Sequence, residues 1–386
     1  MPKQAQEIWN CVRALKPLVV ANRAAGEALK RLPDPVAQAF VEADFYRLVV
    51  PEDLGGMGLD PLTYFELCEE IASYDGSTGW NFALASTNAP LIGSLNLDRL
   101  RSVFAAPDCG IAGTVMPTGR AVKAQDGWRV SGRWRWMSGV HQAKWVIVGT
   151  MIYEGDDPAR NADGSPQILQ FLLPKDASRV LDVWDVGGMR GTGSTDYACE
   201  DIFVSDDMAV QVFSGKANHP APIFHLPFTY FGFGLCAVGL GIGRAALEGL
   251  KALAAEKVSL ATRSSLRDQS HVQYAVAKSG ALLRSSRTHA RESFRAIWDA
   301  VTRGEPVSMQ SRSEARASYV HAAESAMEAV HLCYRAAGGT SLFQSSPFEQ
   351  ALRDVYAVTC HATMQCQLME DAGRVELGLA PRATFF

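Results

Sequence analysis

The stretch Gly338–Arg374 contains the residues best suited to move a proton. A glycine pair and a polar loop come first, and Pro347 then opens a long helical segment. Arg353, Asp354 and His361 follow at spacings that a helix accommodates. An imidazole with an ordinary pKa of about 6.5 can exchange a proton near neutral pH. The alternative is a helix histidine whose ring is satisfied by a backbone carbonyl.

A second candidate is the hydroxyl of Ser138, in the segment GWRVSGRWRWMSGVHQAKW. Trp134, Trp136 and Trp145 lie near it in the sequence. Aromatic side chains can form the walls of a dry pocket, in which a well-placed hydroxyl can hydrogen-bond to a reactive group. The alternative is that Ser138 and Gly139 only make a strand turn, while the tryptophans fill the core of the domain.

The overall composition is that of a globular protein and excludes several functions. The chain has 386 residues, 47% of them apolar and 20% charged, with a net charge of −4. It has no run of Lys and Arg, which predicts no nucleic-acid partner. Its eight cysteines show no metal-ligand spacing, so we expect no metal site. The scattered cysteines and the missing signal peptide predict a cytoplasmic location.

One apolar segment, PIFHLPFTYFGFGLCAVGLGIG at residues 222–243, is nearly long enough to span a bilayer. It contains a histidine, two prolines and five glycines, and it leads into an amphipathic helix. We therefore predict a buried helix start at a subunit or cofactor interface, and no membrane association.

The elements that must position these residues change character twice along the chain. Residues 1–106 show helical periodicity, residues 107–215 show the period of strands, and residues 216–386 return to long helices. The middle segment predicts a compact antiparallel barrel or sandwich, and the four long helices predict an antiparallel bundle. The expected fold is α+β, with an N-terminal helical domain, a central β-barrel and a C-terminal four-helix bundle.

Several motifs resemble the acyl-CoA dehydrogenase superfamily. VVPEDLGGMGLDPLTYFELCEEIASYDGSTGW is similar to its N-terminal signature, and GGMRGTGSTDYACEDIFV is similar to its G-x-R-G-T/S-x-S-x-D segment. The wording WRWMSG is closer to the flavin-dependent monooxygenase branch, which includes two-component aromatic hydroxylases and dibenzothiophene monooxygenase-like proteins. The resemblance implies the same three-part fold.

The stretch after the glycine pair departs from the dehydrogenases at one position. When the family pattern is laid on it without a gap, the catalytic glutamate falls on Ser345, and a serine cannot abstract a carbon-bound proton near pH 7. The helix start Phe231–Gly243, where some relatives carry the base, has no Asp or Glu. In the monooxygenase branch a histidine similar to His361 faces flavin and substrate, where it can take a substrate proton or support protonation of the flavin hydroperoxide.

The resemblance implies a reduced flavin, FADH2 or FMNH2, and O2 as cofactors. It gives His361 and Ser138 as catalytic residues, with Ser138 against the N5/C4a edge of the flavin. The flavin-binding residues that it implies are Trp136, Met137, Ser138, Gly139, Met116, Arg263, Gly338 and Gly339, with Arg263 reaching the phosphates across a subunit boundary. The substrate-binding residues that it implies are Trp80, Asn88 and Phe231.

The function expected from the resemblance is the oxygenase component of a two-component monooxygenase. It would hydroxylate a small phenol- or indole-like substrate through a C4a-hydroperoxyflavin. No GxGxxG fingerprint is present, so we expect a separate NAD(P)H:flavin reductase to supply the reduced flavin, and a homotetramer is the family's assembly. The alternatives are an acyl-CoA dehydrogenase with a relocated base and a non-catalytic scaffold.

Overall fold

The computed structural model describes residues 3–212, 216–258 and 263–383. The N-terminal part is helical, as its periodicity predicts. Carboxylates begin two of its helices, because Asp60 accepts hydrogen bonds from the first turn of one and Asp75 from the first turn of the next. The helices are α1 (Lys3–Ala14), α2 (Lys16–Leu29), α3 (Asp34–Glu42), α4 (Pro61–Tyr74), α5 (Gly76–Thr87) and α6 (Leu97–Val103).

One sheet fills the middle of the chain. Its strands are β1 (Ile111–Ala124), β2 (Gly127–Trp134), β3 (Trp145–Glu154), β4 (Asp157–Pro158), β5 (Ile168–Pro174), β6 (Arg179–Leu181), β7 (Asp196–Ser205) and β8 (Ala209–Val210). The strand order is β6-β7-β2-β1-β3-β5-β8, and β4 pairs with β3. All of these pairs are antiparallel except β1 with β3.

The prediction of a closed antiparallel barrel is wrong. Among the described residues β6 and β8 do not pair with each other, so the sheet stays open, and the parallel β1–β3 pair makes it mixed. Closure of a barrel needs paired edges, and here the edge strands have only three and two residues. The alternating apolar pattern could not reveal this, because it reports which face is buried and not which strands meet.

The C-terminal part is helical, and its described residues form five helices rather than four. They are α7 (Tyr230–Glu256), α8 (Ser270–Thr302), α9 (Met309–Ala337), α10 (Pro347–Thr359) and α11 (Cys366–Glu376). The predicted last helix is broken after Cys360, where a short 3-10 turn, Ala362–Met364, separates α10 from α11. His361 lies at this break with extended backbone (ψ 142°), so the prediction that a helix carries it is wrong.

Two apolar cores hold the chain together. The larger is continuous through the N-terminal and C-terminal helices, where α4 and α5 pack on α7. The smaller fills the interior of the sheet around Trp134 and Tyr197. The larger core also includes Ile147 of β3 and Leu172 of β5, so part of the sheet packs directly on the helices.

Helix α7 contains most of the long apolar segment noted in the sequence. It is the one helix among the described residues that is long and apolar enough to cross a membrane, and 83% of its most apolar 18-residue window is buried in the fold. A core helix passes the same test. The division predicted at residues 106 and 107 falls between α6 and β1, and residue 215 of the second division lies outside the described residues.

Candidate functional site

Trp80 brings the two predicted catalytic residues together. It lies in the buried first half of α5, and its indole Nε1 donates to Ser138 Oγ at 3.1 Å. Its ring also meets the imidazole of His361 edge-on, with 5.3 Å between the ring centroids and 72° between the planes. Residues from the N-terminal helices, the sheet and the C-terminal helices therefore converge on one indole.

The turn that carries Ser138 has an unusual backbone. It follows β2, and both Trp136 (φ 61°) and Gly139 (φ 75°) have left-handed conformations. A positive φ is uncommon for a residue as bulky as tryptophan and is found most often at functional sites. Two backbone hydrogen bonds attach this turn to the segment before β7. Met137 N donates to Thr195 O at 2.9 Å, and Gly139 N donates to Thr192 O at 3.2 Å.

A row of buried hydroxyls continues from Ser138 into the protein. Ser138 Oγ lies 2.6 Å from Ser194 Oγ, which lies 2.6 Å from Thr192 Oγ1. Thr192 Oγ1 donates to the carbonyl oxygen of Met189 at 2.8 Å. All three hydroxyl-bearing residues are buried. Thr192 and Ser194 occupy the T/S and S positions of the G-x-R-G-T/S-x-S-x-D segment, but nothing in the sequence indicated that their hydroxyls meet Ser138.

His361 is half-buried and neutral. Its Nδ1 lies 2.8 Å from Thr363 Oγ1 and 3.3 Å from the backbone nitrogen of Thr363, which can only donate. This network assigns the lone pair to Nδ1 and the proton to Nε2. Burial lowers the pKa of His361 to about 4, so the imidazole stays uncharged at neutral pH. The ring therefore offers an N–H donor at Nε2 and caps the turn with Nδ1.

Exposed apolar side chains flank the buried cluster. Trp136 is 66% exposed and Met116 is 55% exposed, while Met137 is fully buried. The β1–β2 register pairs Arg120 with Ser131, so Met116, before Arg120, and Trp136, after the end of β2, lie toward the same end of the hairpin. An exposed indole and thioether next to a strained turn form a surface on which a flat aromatic ring can stack.

Arg353 and Asp354, at the middle of α10, hold the segment that carries the hydroxyls. Arg353 Nη1 donates to Gly187 O at 2.5 Å, and Met189 N donates to Asp354 Oδ1 at 2.6 Å. A Cβ on Gly188 would overlap the Arg353 carbonyl, so only glycine fits between these contacts. The Arg-Asp pair quoted from the sequence is thus a clamp on residues 187–189.

Asp354 is a buried carboxyl with an altered proton affinity. Burial, reinforced by the neighbouring Asp75, raises the pKa of Asp354 to about 7. Asp75 is itself occupied, because its carboxylate caps α5 by accepting from Thr78 N at 2.7 Å and it accepts from Gln350 Nε2 at 3.2 Å. The two carboxyls therefore join α5 and α10 directly behind the site.

Three of the predicted flavin-binding residues lie far from Ser138. Lys257, just past α7, donates to the Ala337 carbonyl, so Gly338, Gly339 and the exposed Arg263 lie near the C-terminal ends of α7 and α9. Gly232 in the first turn of α7 instead packs against Thr363, beside His361. The 24 residues from Gly232 to Glu256 span about 36 Å at 1.5 Å per residue, more than one flavin can bridge. Within one chain these residues cannot serve the same flavin as Ser138.

The predicted substrate residues divide in a similar way. Trp80 lies in the cluster, whereas the buried amide of Asn88 donates to Ile111 O at 2.7 Å and links α5 to β1. Phe231 stacks on Phe228 with 5.5 Å between ring centroids, and it lines a cavity of about 900 Å³. The residues that line this cavity do not include Trp80, Ser138 or His361.

Ser345 and the flanking tryptophans complete the comparison with the sequence. Ser345 is exposed before α10, at the opposite end of that helix from His361, about 18 Å away for 12 residues of rise. His361 therefore does not occupy the position of the dehydrogenase base.

Trp134 fills the core of the sheet and donates to Gly149 O at 2.7 Å, so it forms no wall around Ser138. Within the part of the chain that the structure describes, no three His, Cys, Asp or Glu side chains are grouped so that they could hold a metal ion.

Comparisons with known proteins show the family of the chain. Residues 5–94 match the family "Acyl-CoA dehydrogenase, N-terminal domain", and residues 233–366 match "Acyl-CoA dehydrogenase, C-terminal domain". Indole-3-acetate monooxygenase of Pseudomonas putida is 32% identical over 389 residues, which cover 96% of this chain and 98% of that protein. The chain therefore belongs to the acyl-CoA dehydrogenase family, and within it to the flavin-dependent monooxygenases, enzymes that use reduced flavin.

Two further relatives support the same placement. The oxygenase subunit HsaA of a flavin-dependent monooxygenase from Rhodococcus jostii is 26% identical and covers 90% of this chain and 92% of its own length. The crystal structure of the HsaA monooxygenase from Mycobacterium tuberculosis has a TM-score of 0.89 at 25% identity, covering 99% of this chain and 100% of that chain.

Proposed function

We propose that this chain is the oxygenase component of a two-component monooxygenase and hydroxylates a small phenol- or indole-like substrate. The observation that carries the proposal is the contact of Trp80 with both Ser138 and His361. It unites a buried acceptor hydroxyl and a neutral N–H donor at one place, next to exposed apolar side chains. Neither group is a carboxylate that could remove the α-proton of an acyl thioester.

The residues present fit a flavin. Trp136 and Met116 offer an apolar surface for one face of the ring system, and the strained turn presents the Ser138 hydroxyl beside that surface. Reduced flavin, when bound, supplies the oxygen-activating chemistry, for which we infer a C4a-hydroperoxyflavin. Trp136, Met116, Met137, Ser138 and Gly139 are the residues we propose to hold it.

His361 acts in this proposal as a hydrogen-bond donor. A group whose conjugate acid has a pKa of about 4 is a weak base toward a phenol, whose pKa is about 10 by analogy with tyrosine. Its Nε2–H can instead donate to an oxygen of the flavin adduct or of the substrate. The low dielectric of a buried site strengthens such a bond.

The proposed substrate class rests on the relatives as well as on the site. Two relatives are named indole-3-acetate monooxygenases and another is named p-hydroxyphenylacetate 3-hydroxylase, oxygenase component. These names share an aromatic ring that carries an N–H or an O–H. The aromatic edges of Trp80 and His361 provide apolar contact for such a ring, and each ring also carries one polar atom.

A separate NAD(P)H:flavin reductase and a homotetramer belong to the same proposal. Arg263 and Gly338–Gly339 lie about 36 Å along α7 from the Ser138 cluster, so a flavin that used both groups would have to lie between two chains. We propose that the enzyme is cytoplasmic, where a diffusing reduced flavin can be delivered.

The alternatives fit less well. An acyl-CoA dehydrogenase needs a carboxylate base, but Ser345 is exposed and α7 has no acidic residue in its first half. The relatives' assignment as monooxygenases argues against a non-catalytic scaffold.

The proposal is tested by supplying photoreduced flavin, the purified chain and isotope-labelled dioxygen to indole-3-acetate, p-hydroxyphenylacetate and indole in parallel. We expect a hydroxylated product that contains one labelled oxygen atom from at least one of them, and none when Ser138→Ala replaces the wild type. Acyl-CoA-dependent bleaching of oxidised flavin, without any oxygenated product, would instead establish a dehydrogenase.

A further inference from the structure

We propose that Thr192 and Ser194 are positioning residues that orient the Ser138 hydroxyl so that the site prefers reduced over oxidised flavin. This inference rests on the proposed function, since it places Ser138 beside flavin N5. It assigns a role to two residues that the proposed function leaves without one. The proposal depends on a row of three buried hydroxyls, Ser138, Ser194 and Thr192, whose hydrogen bonds all donate in the same direction along the row.

The direction follows from the donors and acceptors at the two ends of the row. Thr192 Oγ1 lies 2.8 Å from the Met189 carbonyl, which can only accept, so the Thr192 proton points there. Thr192 must then accept from Ser194 at 2.6 Å, and Ser194 must accept from Ser138 at 2.6 Å. At the other end, the Trp80 indole can only donate, so Ser138 Oγ accepts from it at 3.1 Å.

Each hydroxyl in this row has only one proton, and that proton is already donated to the next acceptor in the row. Ser138 directs its proton to Ser194, away from the site, and accepts from Trp80 with one lone pair. Its second lone pair is the polar feature that remains for a ligand. Because the row is buried, no bulk water compensates a hydroxyl that turns away from its partner.

The remaining lone pair complements one redox state of the flavin. Reduced flavin has a hydrogen on N5 and donates there, whereas oxidised flavin has a lone pair on N5 and accepts. Ser138 can accept from the reduced form without rearrangement. To donate to the oxidised form, Ser138 must withdraw its proton from Ser194 and lose that hydrogen bond. Restoring it would require Ser194 and Thr192 to reverse as well, and the bond from Thr192 to Met189 O would then be lost. A ligand is favoured only by its differential interaction with the site, and one hydrogen bond corresponds to roughly a tenfold difference in affinity.

The Met189 carbonyl, which accepts the last proton of the row, is held in place by its neighbours. The row keeps one direction only if this acceptor stays where it is. Met189 N donates to Asp354 Oδ1 at 2.6 Å, and Met189 O also receives the indole N–H of Trp184 at 3.3 Å. The carbonyl that anchors the direction therefore cannot rotate away. Removal of the Thr192 hydroxyl leaves this carbonyl with a partner, so the substitution creates no unsatisfied acceptor.

The test compares the dissociation constants of reduced and oxidised FMN and FAD, measured anaerobically by flavin fluorescence and ultrafiltration. Thr192→Val keeps the shape of the side chain but removes the hydroxyl that fixes the direction of the hydrogen bonds, so Ser194 can donate to Ser138 instead. We expect it to tighten the binding of oxidised flavin about tenfold, to change that of reduced flavin by less than about twofold, and so to lower the affinity ratio about tenfold. Ser194→Ala should act in the same direction, because the Ser138 proton loses its acceptor.

Two control variants separate orientation from a general structural effect. Thr192→Ser keeps the hydroxyl and should keep the wild-type ratio. Thr150→Val removes a buried threonine hydroxyl in β3, which donates to Leu169 O at 2.8 Å and is not part of the row. It should also leave the ratio unchanged. An unchanged ratio in Thr192→Val, or an equal fall in Thr150→Val, would overturn the inference while the proposed function stands. Failure of the wild type to bind either redox state would overturn both.

Discussion

At the scale of single residues, Trp80 contacts both predicted catalytic residues, Ser138 and His361, and so places them in one site. Ser138 lies 58 positions from Trp80 in the sequence, and His361 comes from another part of the fold, but the same indole contacts both. Ser138 contributes an acceptor lone pair and His361 contributes a neutral N–H. The chemistry expected of His361 changes accordingly, because its burial suits a donor better than a base.

Substitution of His361 by Asn separates its two roles. An Asn side chain can still cap the turn by accepting from Thr363 N, but it lacks the reach of Nε2–H. We expect a thermal midpoint close to that of the wild type, roughly tenfold less hydroxylated product per flavin oxidised, and correspondingly more hydrogen peroxide. Product and peroxide are measured together in single turnovers.

His331→Asn is the matched control, since His331 is exposed on α9 and outside the cluster. It should leave the yield of product unchanged. Full coupling in His361→Asn would show that the Nε2–H has no role in the reaction.

The pH dependence of the reaction tests the protonation state of His361. Its pKa of about 4 in the folded protein lies below the ordinary value of about 6.5, so the neutral form is complete above pH 6. The yield of product should therefore show no inflection from a histidine between pH 6 and 8. An inflection near 6.5 that disappears in His361→Asn would contradict the burial-driven shift.

At the scale of elements, α10 and the segment before β7 fix the geometry of the site. Arg353 and Asp354 were visible in the sequence as a motif, but their partners Gly187 and Met189 lie about 165 positions away. No local pattern indicates such a pairing. The motif could be predicted from the sequence, whereas its function as a clamp required the fold.

Other elements show the same division between what local patterns can and cannot reveal. Helical and strand periodicities predicted the order of helices, strands and helices correctly, because burial of one face determines them. The break at His361 was missed because the segment VTCHATMQ contains neither Gly nor Pro, and the turn is stabilised by the histidine side chain itself. The open edges of the sheet depend on long-range pairing.

Replacement of Asp354 by Asn should change the pH dependence of stability. The pKa of Asp354 is about 7 in the folded chain and about 3.9 when unfolded, so the folded state holds one more proton between these values. The free energy of unfolding of the wild type therefore falls as pH rises from 4 to 7, by at most about 1.4 kcal/mol per pH unit from this group. The asparagine side chain of the variant cannot ionise, and its amide oxygen can still accept from Met189 N.

We expect Asp354→Asn to exceed the wild type in thermal midpoint by more at pH 8 than at pH 5. Asp371→Asn is the control, because the pKa of Asp371 is lowered, although burial opposes this, by bonds from the backbone N–H groups of Arg382 and Ala383. Asp371 is ionised in both states above pH 5, so its variant should differ from the wild type by the same amount at both pH values. A constant difference for Asp354→Asn would refute the raised pKa.

At the scale of the whole molecule, the residues proposed for flavin binding form two groups at opposite ends of α7. Ser138 and Trp136 belong to one, and Arg263 with Gly338–Gly339 belongs to the other, about 36 Å away along the helix. A single flavin can use both only if the second group comes from another copy of the chain. The symmetry of a homo-oligomer would then repeat the arrangement at each site.

Mixed oligomers test this arrangement. Ser138→Ala and Arg263→Ala chains should each bind reduced flavin more weakly than the wild type. Co-refolded or co-expressed mixtures should contain sites that combine a wild-type Ser138 with a wild-type Arg263, and so recover part of the flavin binding and hydroxylation. If the mixture shows only the average of the two variants, the two residues do not meet in a site shared between chains.

The central claim is that this chain activates oxygen on a reduced flavin held at Ser138, Trp80 and His361. The most direct measurement is stopped-flow mixing of photoreduced flavin and protein with oxygenated buffer, followed by flavin absorbance. We predict a transient oxygen adduct of flavin that persists with the wild type and decays faster with Ser138→Ala. Reoxidation of the flavin at the rate and with the spectra of free flavin, unaffected by the protein, would contradict the claim.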